Sequence, residues 1–311
     1  MTQTPAHAQS TNSVLMIRPG RFYPNPETAA DNAFQRNVDG DPDALTLLAR
    51  KEFDAAVQTL RAAGINVHVF EDTAEPEKPD AVFPNNWIST HHDGRVALFP
   101  MYSALRRRER RQDIIEELRN HYRVTEVIDY SPFEEDGCCL EGTGSLVFDR
   151  LNNIAYVSLS NRSNPKVIQR FADDFTFEPV TFTSIDSNGQ PIYHTNVMMC
   201  IGTAFAMVGL EMIPNKAERQ QVRARLEKTG KEIVELSADQ IANFAGNAIE
   251  LHKMGGEKLL VLSSRADHAL TEDQRKRLRR YARLIPLELS TIELGGGSAR
   301  CMVATIHLPR L

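Results

Sequence analysis

The chain has 311 residues, 41% of them hydrophobic, and 41 acidic side chains against 36 Lys and Arg for a formal charge of −5. That supplies a large apolar core and lacks the concentrated positive charge a general nucleic-acid binder needs. No stretch approaches the roughly 18 consecutive apolar residues of a membrane span, and MTQTPAHAQSTNSVLMIRPG lacks the basic and apolar regions of a secretion signal, so a cytoplasmic protein with no membrane partner is expected.

Residues 1–13, rich in Thr, Gln, Ser and Asn, are expected to fray as a flexible N-terminus, and 14–311 to form one domain, since no long Gly/Ser or Pro-rich linker interrupts them. Short apolar runs predict strands at 14–17, 65–70, 95–100, 145–149, 154–160, 232–236, 258–263 and 301–308. Between the first two, Asp41 or Asp43 caps a helix whose apolar face is Leu45, Leu48, Ala49, Ala56, Val57 and Leu60, with Gly64 as its stop. His91-His92-Asp93-Gly94 reads as a hairpin turn. Further helices are predicted over about 103–121, from Asn215 to Gly230, over 237–244 and over 271–284. Strands alternating with single helices indicate an α/β protein. No GxGxxG or GxxxxGK[ST] motif is present, and Gly295-Gly296-Gly297 precedes a strand-like segment rather than opening a helix, so no nucleotide cofactor is indicated.

The four cysteines, Cys138, Cys139, Cys200 and Cys301, have neither zinc-site nor disulfide-framework spacing, so any that matters acts as a single thiol. Cys301 follows Gly295-Gly296-Gly297-Ser298-Ala299-Arg300, where glycines permit close approach of a ligand and Arg300 favours a thiolate; the commoner alternative is a small buried hydrophobe. His194 lies in a polar trio, His194-Thr195-Asn196, inside an apolar segment, and reads either as a proton shuttle or as a satisfied core histidine. Glu141, between Leu140 and Gly142, reads as an orienting carboxylate or as a solvated turn residue. Asp80-Ala81-Val82-Phe83-Pro84-Asn85-Asn86-Trp87 groups the only tryptophan with two amides and a carboxylate, in what is also a plain turn signature.

Taken together, DAVFPNNW, LEGTGS, YHTNVMM and GGGSARCMV resemble, in order and wording, the guanidino-group-modifying superfamily of arginine deiminases, dimethylarginine dimethylaminohydrolases, amidinotransferases and dihydrolases. The opening Met16-Ile17-Arg18-Pro19 with Asn25, Thr28, Asn32 and Phe34-Gln35 is most similar to its bacterial citrulline-utilisation hydrolase branch. The resemblance spans about 14–311. It implies an α/β propeller (pentein) of five pseudo-symmetric ββαβ units around a central site, with no metal and no organic cofactor. It places the nucleophile on Cys301, the general acid/base on His194 and its carboxylate partner on Glu141. It also implies substrate contacts from Asp80, Asn85, Asn86 and Asn196, and carboxylate-binding roles for Arg106 and Arg162, whose planar forks suit that geometry.

Arginine deiminases carry aspartates where this chain has Asn86 and Asn196. A guanidinium is a permanent cation that only donates hydrogen bonds, and burying it without a counter-charge costs several kcal/mol. A neutral ureido group suits amides. The expectation is therefore a small-molecule hydrolase converting citrulline or a related amino acid to ornithine, ammonia and carbon dioxide through an S-carbamoyl cysteine. The alternatives are an arginine dihydrolase or deiminase, or a non-catalytic propeller of the kind found in ribosome anti-association factors. Self-association into a homo-oligomer is left open.

Overall fold

The computed structural model describes residues 8–36 and 41–311. Among these, the strands group into five three-stranded sheets of one pattern: a central strand pairs antiparallel with a short strand and parallel with a strand reached through helix. Four units follow consecutively: Ile88–Thr90, Arg95–Leu98 and Glu126–Asp129; Val147–Asp149, Ile154–Ser158 and Glu178–Phe182; Met199–Ile201, Phe205–Val208 and Glu232–Glu235; Ile249–His252, Lys258–Ser263 and Arg283–Leu287. The fifth joins the chain's ends. Ala304–Thr305 runs antiparallel to Ser13–Arg18, which pairs in parallel with Asn66–Glu71. The expected five-unit α/β propeller is thus closed by the last strand completing the first unit.

Local chemistry explains most of the boundaries. The Asp41 side chain accepts from Asp43 N at the start of Pro42–Ala62, whose buried face includes Ala49, Phe53, Ala56, Val57 and Leu60. Asn215 caps Lys216–Lys228 through Ala217 N and Glu218 N, and Gly230 ends it in the left-handed region at φ +73°. The short strand of each unit is almost wholly buried, and neighbouring units touch through these strands, which ring the centre of the molecule.

Several expectations are corrected. The helix predicted over 103–121 is two, Ala104–Arg107 and Gln112–His121, because Arg106 turns inward to a buried partner. The helix predicted over 271–284 stops at Arg279; Arg283–Leu287 is a parallel strand on Lys258–Ser263. Of 301–308 only Ala304–Thr305 is strand, and Cys301 lies in the turn before it. The helix Pro165–Phe175 and the strand Glu178–Phe182 are additions that the apolar runs do not predict. The His91–Gly94 hairpin turn is present, yet His91 itself is buried, its ring 4.0 Å from that of Phe175. Cys138 is only half-buried, whereas Cys139 and Cys200 are buried.

The N-terminus departs most from expectation. Residues 1–7 lie outside the described residues, but Gln9 donates to Phe148 O at 2.8 Å and Ile201 O at 3.0 Å and accepts from Arg150 N. Thr11 Oγ1 donates to Ile306 O. A polar composition predicts fraying; here the polar groups instead satisfy backbone groups of three different units.

Candidate active site

A tight turn precedes the short inner strand of every unit, and the five turns converge at one end of the ring. They are Pro84–Asn86, Gly142–Ser145, Thr195–Val197, the turn ending at Asn247, and the turn holding Cys301. Side chains from all five meet. Asn196 Nδ2 and Asn247 Nδ2 donate to Cys301 Sγ at 3.3 and 3.2 Å. His194, two residues before Asn196, donates from Nε2 to Glu141 Oε2 at 2.7 Å. Gly144 permits the approach: a Cβ there would collide with Asn86 Nδ2 and sit 2.7 Å from His194 Nδ1.

Cys301, His194, Glu141, Asp80, Asn86, Asn196, Arg106 and Arg162 are each at most 4% exposed, so the site is a desolvated cluster rather than an open cleft. Burial alone would raise Glu141, but Arg162, His194 and Arg106 outweigh it and hold the carboxyl well below the usual range. Burial lowers His194 to about 4 against the opposing pull of Glu141, leaving a neutral imidazole whose free Nδ1 acts as an acceptor at neutral pH. Glu141 also accepts from Tyr102 N at 2.9 Å, which fixes its orientation. The reading of Glu141 as a solvated turn carboxylate is therefore excluded.

The amides and arginines are arranged asymmetrically. Arg106 forks onto Glu109 at 2.8 and 3.0 Å, and its Nη1 donates to Asn86 Oδ1 at 2.9 Å. An arginine only donates, so the Asn86 atom facing it is the oxygen, and Nδ2 remains a donor with no partner among the described residues. Asn196 is the reverse: Nδ2 serves the sulfur and Oδ1 is without a partner among the described residues. Asp80 accepts from Asn25 Nδ2 at 2.8 Å, lies 3.7 Å from Arg106 Nε, and is pushed upward by burial. Asn85 is buried, its two amide atoms have no hydrogen-bond partner among the described residues, and its side chain bonds neither the thiol nor the imidazole.

Neither arginine assigned to a substrate carboxylate is free. Arg106 is committed to Glu109, three residues on and buried. Arg162 forks onto Asp31 at 2.5 and 3.1 Å and stacks 4.6 Å above the Tyr193 ring. Asp31 belongs to the segment 25–36, which covers the site. Asn25 binds Asp80, Glu27 accepts from Ser103 and Leu105 N, and Arg36 N donates to Leu294 O.

Asn247 was missed by sequence reasoning. It stands two residues before its inner strand, as Asn86 stands before Ile88, an equivalence that the structure displays and the apolar runs of the sequence do not, because neither strand is among them. Among the described residues no group of three or more His, Cys, Asp or Glu is placed to hold a metal, and no helix is long and apolar enough to cross a membrane.

Residues 18–308 match the family model described as N,N dimethylarginine dimethylhydrolase, eukaryotic. The chain belongs to this family. Membership makes it a hydrolase of the guanidino-group-modifying superfamily. No curated protein sequence matches it. The N-terminal domain of ArgZ, an arginine dihydrolase from the ornithine–ammonia cycle in cyanobacteria, was solved as a cysteine-to-serine variant bound to substrate. It is similar at a TM-score of 0.74 and 18% identity over 96% of this chain and 99% of that one. Unliganded AgrE is similar at 0.73 and 16%, with 39% of its longer chain covered by 96% of this one. A histidine-to-glycine dimethylarginine dimethylaminohydrolase, as its adduct with S-methyl-L-thiocitrulline, is similar at 0.62 and 15% over 95% and 99% of the two chains. At these identities the likeness to solved structures is one of fold.

Proposed function

We propose that this member of the dimethylarginine dimethylhydrolase family hydrolyses a ureido group, with citrulline the substrate and ornithine, ammonia and carbon dioxide the products. The observation that carries this reading is the fixed Asn86 amide. Arg106 holds its oxygen, so Asn86 offers the site a donor, while Asn196 offers an acceptor. A ureido carbonyl accepts and its NH2 donates, matching both; a guanidinium would set its own N–H groups against the Asn86 N–H.

In the proposed reaction neutral His194 takes the Cys301 proton as sulfur attacks the ureido carbon, then passes it to the departing nitrogen, releasing ammonia. Glu141 orients the imidazole and stabilises its transient positive charge. Asn196 and Asn247 steady the developing thiolate. Water activated by His194 then cleaves the S-carbamoyl group, and the freed carbamate decays to ornithine and carbon dioxide. Arg162 is the proposed partner of the substrate carboxylate, by exchange with Asp31. Arg106 is better assigned to holding Asn86, since its own carboxylate partner is buried within the same short stretch. The second reading, an arginine dihydrolase, is favoured by one feature, the buried Asp80 carboxylate near Arg106.

Purified protein offered citrulline and arginine separately, with ammonia and ornithine assayed, tests the choice. Turnover of citrulline is expected, reduced by Asn86→Asp; turnover of arginine alone would exclude the ureido reading. Because Asp31 competes for Arg162, Asp31→Asn is expected to lower KM for citrulline about threefold to tenfold with kcat not raised; a tenfold higher KM would instead make Asp31 part of substrate binding. With His194 at about 4, kcat/KM is expected to hold steady through pH 6.5 and fall only as pH drops through about 4, where the base becomes protonated. An acid limb centred near 6.5 would contradict that environment.

A further inference from the structure

The ring of inner strands has a second end. Where the turns before the strands build the site around Cys301, the residues after them line a separate cavity of about 410 Å³. Four of the five units contribute a basic or imidazole side chain at the strand's last residue or within two residues of it: His91 after Ile88–Thr90, Arg150 after Val147–Asp149, His252 at the end of Ile249–His252, and His307 after Ala304–Thr305. Arg150 is the telling member. It is 8% exposed, its guanidinium has no acceptor among the described residues, and it lies 4.8 Å over the Phe148 ring. It borders both this cavity and a smaller one of about 50 Å³ deeper along the ring, lined also by Arg300 and by Glu250, whose carboxylate is engaged by Thr203 N and Oγ1. Burial and the neighbouring Arg300 outweigh the opposing pull of Asp93 and lower Arg150 to about 9, which still leaves it charged at neutral pH. The one acidic side chain at the rim, Asp93, is paired with Arg95. A buried cation that faces a cavity far larger than one water, with no acceptor among the described residues and with the opposing charge of Asp93 already engaged by Arg95, is fitted to complete an ion pair with an anionic ligand.

We propose that this cavity is a second ligand site, distinct from the Cys301 site, which binds a small carboxylate- or phosphate-bearing metabolite through the fork of Arg150 and the imidazoles around it. A planar fork pairs with two oxyanion oxygens at once, and neutral imidazoles add single donors. The volume falls in the range of small-molecule sites, and among the described residues no three His, Cys, Asp or Glu are placed to hold a metal ion.

Thermal unfolding and calorimetric titration of the full chain with inorganic phosphate and, separately, succinate test this, with sodium chloride at matched ionic strength as the control. Saturable stabilisation by at least one oxyanion is expected, and which one answers separates phosphate from carboxylate ligands. Arg150→Met should remove the response and raise the melting temperature in oxyanion-free buffer, because an unpaired buried charge is gone. Arg150→Lys, which keeps the charge without the fork, should bind about tenfold more weakly or worse. Arg162→Met should leave the response in place. No saturable response in the parent chain would overturn the proposal. So would a response that survives in Arg150→Met or is lost in Arg162→Met. If Arg150→Met does not fold, unchanged affinity in Arg150→Lys would overturn it equally.

Discussion

Replacing Cys301 with serine is expected to abolish turnover of citrulline, by at least about 10⁴-fold, while leaving substrate binding largely intact. The sulfur is held by two amide donors, from Asn196 and Asn247, at 3.3 and 3.2 Å, in a pocket almost without water-exposed surface. A serine hydroxyl fits the space but is a far weaker acid than a thiol, and a neutral His194 at about 4 is too weak a base to ionise it. Ammonia release by the serine variant would sink the assignment. Stoichiometric labelling of Cys301 in the parent protein, slowed by citrulline, is the complementary measurement. Labelling that citrulline does not slow would favour a propeller that binds some other partner without catalysis.

The second large effect is expected from Glu141→Gln. The carboxylate receives His194 Nε2 at 2.7 Å and Tyr102 N at 2.9 Å and lies 3.5 Å from Arg162 and 3.9 Å from Arg106. Glutamine keeps the shape and loses the charge. Activity should fall about 10²- to 10⁴-fold, because an amide can present its NH2 to the imidazole and select the wrong tautomer. Stability should fall by about 3–5 kcal/mol at neutral pH, since Arg162 and Arg106 each lose a carboxylate neighbour in a dry site. The pH dependence has a definite sign. The folded-state pKa of Glu141 lies below the ordinary 4.5, so its contribution is complete above that value and drains away as pH falls beneath it. Denaturant unfolding of the two proteins should therefore differ at pH 7 and converge as pH is lowered well below 4.5. A constant difference across that range would mean that the carboxylate's charge is not what stabilises the fold.

Much of the site's cast was legible in the sequence because each member sits in a short run with its own local logic. A glycine-bounded carboxylate, a polar trio inside an apolar segment and a thiol after three glycines are all anomalies within a few residues. The two amides at Asn86 and Asn196 were legible as departures from an aspartate pattern, which is where the ureido proposal begins. What the arginines do was not legible. Arg106 and Arg162 look alike as unpaired fork donors on a linear chain, yet one is claimed by Glu109 from its own turn and the other by Asp31, 131 residues away. Asn247 escaped notice because nothing in Phe244-Ala245-Gly246-Asn247 marks it until the pseudo-symmetry sets it beside Asn86 and Asn196.

The sequence by itself determined the α/β alternation, the helix cap at Asn215, a helix start at Asp41 or Asp43, and which residue types gather for the chemistry. These depend on hydrogen bonds and apolar spacing within a turn or two, where the interacting groups are near neighbours in the chain. The tertiary structure alone decided that the last strand closes the first unit, and that a polar N-terminus is pinned between units. It also decided that Arg106 fixes the Asn86 amide as a donor and that a charged Arg150 faces a cavity at the far end of the ring. Those outcomes turn on which buried polar group meets which partner between segments far apart in the chain, and desolvation makes each such pairing costly to leave unmade.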